Sequence, residues 1–151
     1  MKQYSFASVD LIIDGLMIDG FQDSNDIITV GRAVPQHGKV MDARGKMVAI
    51  SSADKSGFFS FNLLQTSDSN IALQTKALLT HDTGTSGGSD LFIPIQAMLN
   101  DKMGTTICTG VNGILVMQPA VVRGTGLQTV TWTIEFEQVW MGRGQYGDIG
   151  I

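Results

Sequence analysis

The stretch Thr129-Val130-Thr131-Trp132-Thr133-Ile134-Glu135-Phe136-Glu137 decides the fold class. Val130, Trp132, Ile134 and Phe136 fall on one side of an extended chain, and Thr129, Thr131, Thr133, Glu135 and Glu137 on the other. A period of two marks a strand with one buried and one wet face. The alternation fails at Gln138, where Val139 and Trp140 stand together, which predicts a bulge or a change of surroundings there.

The same period recurs upstream. Phe59, Phe61 and Leu63 alternate with Phe58, Ser60 and Asn62, and Val9, Leu11 and Ile13 alternate with Ser8, Asp10 and Ile12. Asp14-Gly15 is a turn into Leu16-Met17-Ile18, and Asp19-Gly20 repeats the same turn chemistry. Residues 27–30 read as a short strand ended by Gly31. Asn112-Gly113 reads as a hairpin turn between strands at 105–109 and 114–117. One helix is predicted, capped by Asp68 or Ser69, with Ile71, Ala72, Leu73, Ala77, Leu78 and Leu79 as its apolar residues. It is short and needs a sheet to pack on. A second helical turn is expected from Ile95 to Leu99 after Pro94, and Thr83 to Ser89 reads as a loop.

Composition narrows the function classes. The 151 residues are 43% hydrophobic and 16% charged, too apolar for a disordered chain and of a length that suits a single domain, 1–151. Eighteen glycines against three prolines favour tight turns over stiff linkers. No apolar run approaches the ~20 residues of a bilayer span, and no basic-then-apolar leader is expected from Lys2-Gln3-Tyr4-Ser5, so no membrane anchor is foreseen. The single cysteine, Cys108, excludes an internal disulfide and reads as a small packed side chain. Net charge is −4, all of it from positions 1–31, where Lys2 faces Asp10, Asp14, Asp19, Asp23 and Asp26. That excludes a basic stripe for gripping phosphates. The aspartates either serve turns or line a surface that repels nucleic acid.

Residues 37–51 stand apart. Gly38-Lys39-Val40-Met41 and Gly45-Lys46-Met47-Val48 resemble one another, with Asp42, Ala43 and Arg44 between, which predicts a long hairpin turning near Ala43 or Gly45. Val40, Met41, Met47, Val48 and Ile50 leave it apolar on both faces, so both must be covered. The cover is either the rest of the same sandwich or a neighbouring subunit.

Catalytic patterns fail on context. Gly84-Thr85-Ser86-Gly87-Gly88 matches G-x-S-x-G, but both histidines, His37 and His81, precede Ser86, whereas a nucleophile elbow requires the acid and histidine after it. Gly142-Arg143-Gly144-Gln145-Tyr146-Gly147 matches G-x-G-x-x-G with only four residues following, too few for the helix that would hold a pyrophosphate. This segment reads instead as a tail that orders on contact. The two distant histidines have no metal-ligand spacing, and Glu135 with Glu137 reads as a solvated strand face rather than a carboxylate site. No catalytic, metal or cofactor-binding residue is expected, and no cofactor. A carbohydrate-binding sandwich with Trp140 as a stacking face is a weaker alternative.

Tyr4-Ser5-Phe6-Ala7-Ser8-Val9-Asp10-Leu11-Ile12-Ile13-Asp14-Gly15, the 38–49 hairpin, Gly57-Phe58-Phe59-Ser60-Phe61-Asn62-Leu63-Leu64-Gln65 and the 130–140 strand together resemble the tail tube proteins of contractile-tailed bacteriophages, close to small tube proteins of certain Pseudomonas myophages. The resemblance implies a mainly β, sandwich or barrel-like core with one flanking helix and a long hairpin. It implies six copies in a ring and rings stacked as the inner tail tube of a virion. That tube is made in the host cytoplasm and is the conduit for genome ejection. Its partners would be itself, the sheath, and tape measure, baseplate and terminator proteins, with double-stranded DNA passing without specific binding. The hairpin (about 37–51) and the arms (about 1–8 and 142–151) would reach the adjoining ring. Val40, Met41, Asp42, Ala43, Arg44, Lys46, Met47, Val48, Tyr4, Phe6, Arg143 and Tyr146 are the candidates for self-assembly. Another ring-forming component, such as a tail terminator or a secreted ring protein, is the alternative.

Overall fold

The computed structural model describes residues 1–78 and 93–146. The 83–89 loop, Ser86, His81, Leu79 and the last five residues of the C-terminal arm lie outside the described residues. A 3-10 turn at Phe6–Ser8 leads into β1 (Val9–Ile13) and β2 (Leu16–Met17). There follow β3 (Ile28–Arg32), β4 (His37–Met41), β5 (Met47–Ser51), β6 (Gly57–Leu64) and helix α1 (Ser69–Ala77). The last described strands are β7 (Ile95–Asp101), β8 (Thr106–Leu115) and β9 (Thr129–Gly142). Among the described residues, seven strands form one antiparallel sheet in the order β2-β1-β7-β8-β9-β6-β3, and β4 and β5 pair only with each other.

The long sheet curls into a barrel because residues 18–22 cross from one side of it to the other. The Ile18 amide donates to the Leu11 carbonyl of β1 (2.8 Å), while the Leu64 amide donates to the Gly20 carbonyl (2.9 Å) and the Gln22 amide to the Asn62 carbonyl of β6 (3.2 Å). Phe21 bridges Leu63 in the same stretch. Backbone groups that would be orphaned at an open edge are thereby paired. Inside sit Leu11, Ile13, Phe59, Phe61, Leu63, Trp132, Ile134 and Phe136, all buried, as the period of two in β1, β6 and β9 foretells, together with Val139 beyond the break in that period. Leu73 of α1 joins them. The helix is held by polar contacts at its start: buried Ser69 accepts from the Asp19 amide through Oγ (3.0 Å), and Trp132 donates from Nε1 to Asn70 (2.8 Å). Asp68 occupies the cap position but makes no side-chain cap bond.

Four sequence expectations are corrected. Asn112-Gly113 is not a hairpin turn, because β8 runs unbroken through it. Asn112 takes a left-handed conformation (φ 55°), the β7–β8 register shifts between Ile95 and Ala97, and Gly113 is bare because the Phe136 ring lies 2.4 Å from where a Cβ would be. Ile95–Leu99 is not a helical turn but the first part of β7, fixed by pairing with β1 on one side and β8 on the other. Asp19-Gly20 does not reverse the chain. Gly20 has φ 79°, but it serves the crossing, with Ser67 packed where a side chain would stand. Finally, β3 continues past Gly31 to Arg32.

Other expectations hold. Asp14 (φ 51°) and Gly15 (φ 80°) make the β1–β2 turn. At Gln138 the β8–β9 pairing keeps its register, but β6 pairing stops at Gly57 opposite Phe136, and burial switches from Phe136 to Val139. The change of surroundings, not a register shift in β9, breaks the pattern.

Candidate self-assembly surfaces

The β4–β5 hairpin is specified by its own turn. Asp42 accepts on Oδ1 from the amides of Arg44 (2.9 Å) and Lys46 (2.8 Å), its own amide donates to the Lys46 carbonyl (2.8 Å), and Gly45 takes φ 84°. This is a three-residue loop closed by a left-handed glycine, which needs no tertiary support. All ten strand residues are exposed. Cross-strand partners share a face, so the register puts Val40, Val48 and Ile50 on one side and Met41, Met47, Lys39 and Ala49 on the other. Both sides are apolar and neither is buried within the chain, with Met47 63% and Met41 54% accessible. Of the two covers open from the sequence, burial within the same sandwich does not occur.

The two arms meet at the opposite kind of site, a dent. Val9, Leu99, Cys108 and Met141 point inward at one end of the barrel and, with Phe6, Ile28 and Val30, line a cleft of about 1040 Å³. Tyr4 and Tyr146 stand edge to face above it at 6.0 Å, and Phe6 packs edge-on to Phe21 at 5.5 Å. The Tyr146 hydroxyl donates to Asp101 (2.8 Å), a buried carboxylate at the end of β7 that also receives the Gly104 amide (3.2 Å). Gly104 has no side chain where the Tyr146 ring sits, 2.7 Å from its would-be Cβ. The Gln145 amide donates to Thr105 Oγ1 (3.1 Å) and the Gly144 amide to Thr106 Oγ1 (3.3 Å). Residues 143–146 are therefore docked on their own barrel, and the rest of the expected tail, 147–151, lies outside the described residues. Arg143 and Tyr146 lie with Tyr4 and Phe6 around this cleft, apart from the hairpin residues in the fold's connectivity. Sequence reading missed Asp101. Its signal is a lone carboxylate ending a strand of otherwise uncharged residues.

The bond to Asp101 holds the Tyr146 phenol above its ordinary value, with burial and the negative charge of Asp101 adding to the effect. A raised value means that docking favours the neutral phenol. Its contribution is complete below about pH 10, the unfolded value, and is lost as pH rises through the raised one. Phenolate absorbance should therefore include a late-titrating step that Tyr146→Phe removes. The same variant should be cut faster by trypsin after Arg143 at neutral pH, and an unchanged cleavage rate would contradict the latch. Burial likewise pushes the Cys108 thiol up, which suits packing rather than nucleophilic chemistry.

Of the opening aspartates, three have structural work: Asp10 pairs with Lys102 (2.9 Å), Asp14 pairs with Lys76 (2.6 Å), and Asp19 accepts the Gly20 amide (2.8 Å). Among the described residues no three His, Cys, Asp or Glu side chains are grouped to hold a metal ion, and no helix is long and apolar enough to cross a membrane.

The overall fold is similar to that of chains in solved contractile injection systems. The chain is similar to the sheath/tube terminator of an extracellular contractile injection system, PVC, in its extended state, with 9% identity, TM-score 0.55, and 94% of this chain and 98% of the other covered. It is similar to the tube terminating cap of the anti-feeding prophage AFP (9% identity, TM-score 0.51, 94% and 93% covered). It also resembles a chain of the PVC sheath-tube complex (10% identity, TM-score 0.52, 89% and 88% covered). At these identities the likeness is one of fold. No protein-family model and no curated protein matches the sequence.

Proposed function

We propose that this protein is a ring-forming structural subunit of a contractile tail or injection apparatus, with no catalytic activity. The observation that carries the reading is the β4–β5 hairpin, apolar on both faces and exposed on both. Isolated two-stranded ribbons are marginal in water, and one with exposed valines on one side and exposed methionines on the other is completed by a further copy. In this reading the hairpin residues Val40, Met41, Met47 and Val48, with Asp42, Ala43, Arg44 and Lys46 at the turn, make the contact along the axis. A head-to-tail contact that closes gives a ring, and a second contact stacks rings into a fibre.

The fold of two terminating components supports a place at the end of the tube at least as well as a place within it. The sheath-tube likeness supports the second reading only as far as a subunit of stacked rings in an inner tube; that the rings are hexameric and conduct a phage genome in a virion comes from the sequence resemblance. Neighbours in either case would include sheath and tube, and for a phage tail also tape measure and baseplate. Negative-stain images of the purified protein discriminate the two. Single rings that never stack support a terminator, open-ended cylinders support a tube subunit, and isolated particles without rings contradict both.

A further inference from the structure

The outward side of the barrel has two sectors of opposite chemistry. Across β9, β6 and β3, register aligns Thr133, Ser60 and Thr29 in one row and Thr131 with Asn62 in the next, a polar surface of the kind a wet sheet face carries. Across β2, β1, β7, β8 and β9, register aligns Met17, Ile12, Met98, Thr109 and Trp140 in a single row. Five strands at about 4.8 Å spacing make this row roughly 19 Å wide. Ile107 flanks it on the Asn100 side, and Trp140 is 46% exposed. An aromatic at the end of a row that is otherwise apolar but for Thr109, on the outer face of a sheet, is the composition of an interface centre.

We propose that this Trp140 row is the lateral contact surface for a second copy of this chain, an inference that rests on the ring-forming reading. The occupant is argued from charge and position. At the border of the row Asp10 and Lys102 neutralise each other (2.9 Å), so that pair presents no net charge to a partner. The chain itself exposes a matching surface in residues 116–128, where Val116, Met117, Val121, Val122 and Leu127 are all exposed and Arg123 is the one charge. That segment joins β8 to β9, at the end where Thr129 begins its strand. Trp140 lies eleven residues further along β9, about 36 Å of strand at ~3.3 Å per residue. Exposed Glu137, held by the Asn112 amide (2.8 Å), stands near Trp140 with the sign opposite to Arg123. Two different, sign-matched apolar surfaces at opposite ends of one strand make a head-to-tail contact, the geometry that closes into a ring.

The chain's two tryptophans allow a direct test. Trp132 is buried and bonded to Asn70, so acrylamide quenching of the free subunit reports Trp140. On raising the protein concentration until sedimentation shows rings, the quenchable emission should fall several-fold and shift to the blue, and Trp140→Phe should abolish the change. Trp140→Lys should weaken ring formation by roughly tenfold or more, as loss of an aromatic anchor does. Arg123→Glu should also weaken it, and Arg123→Glu combined with Glu137→Arg should recover part of the loss. Rings in which Trp140 stays as quenchable as in the free subunit overturn the proposal while leaving the ring reading intact. A blue shift driven by added oligosaccharide instead of protein concentration overturns it in favour of a glycan platform. If sedimentation shows no association at all, the ring reading falls first and this contact with it.

Discussion

Replacing Met41 and Met47 together by Asp is expected to abolish axial contact between rings while leaving the subunit folded. The two methionines face each other across the last ladder pair of the hairpin, on the side shared with Lys39 and Ala49. In the free subunit both are exposed, so the carboxylates would meet water and the barrel, whose core they do not touch, would keep its melting temperature. In a stacked contact they would be desolvated in an apolar setting. Removing water from an unpaired charge costs several kcal/mol per group, more than the ~1.5–3 kcal/mol that burying each methionine contributes. Images of the double variant should show rings without cylinders, or a terminator that no longer seats on a tube end. Long cylinders from this variant would remove the hairpin from the axial contact.

The second large effect concerns the barrel itself. Phe136→Ala should cost about 3–5 kcal/mol, a large share of the 5–15 kcal/mol that holds a domain folded. The Phe136 ring lies edge-on to Phe59 at 5.1 Å and fills the space over two glycines of β8, standing 2.8 Å from a Cβ built at Gly110 and 2.4 Å from one at Gly113. Glycines leave no side chain to collapse into the void, so the cavity would persist and its cost with it. Thermal unfolding should shift down by about 10 °C or more. A shift under about 3 °C would mean that the ring does not fill that space. Gly113→Val is the complementary experiment and should destabilise from the opposite direction, by overpacking against Phe136.

What was readable in the residues follows from how local each determinant is. The β6 and β9 faces, the Asp14-Gly15 turn and the 37–51 hairpin are each decided within a few residues, by a period of two or by a turn that closes on its own aspartate and glycine. Asn112-Gly113 is ambiguous in sequence because a left-handed residue serves a two-residue loop and a kink within a strand equally well. Only the positions of β7, β9 and the Phe136 ring choose between them. Ile95-Gln96-Ala97-Met98-Leu99 satisfies both helical and strand spacing, and its neighbours β1 and β8 decide. The exposed apolar hairpin is legible because an apolar stretch without alternation is visible in one dimension. The Asp101–Tyr146 latch and the Trp140 row were not, since each joins residues tens of positions apart and exists only once the register is known.

Sedimentation velocity across a wide range of protein concentration tests the central claim most directly, that a chain leaving this much apolar hairpin and sheet exposed finishes its surface with identical copies. The expected record is a monomer that gives way, as concentration rises, to one discrete closed species or to larger stacks built from it. A single compact 151-residue particle at every concentration would contradict the account.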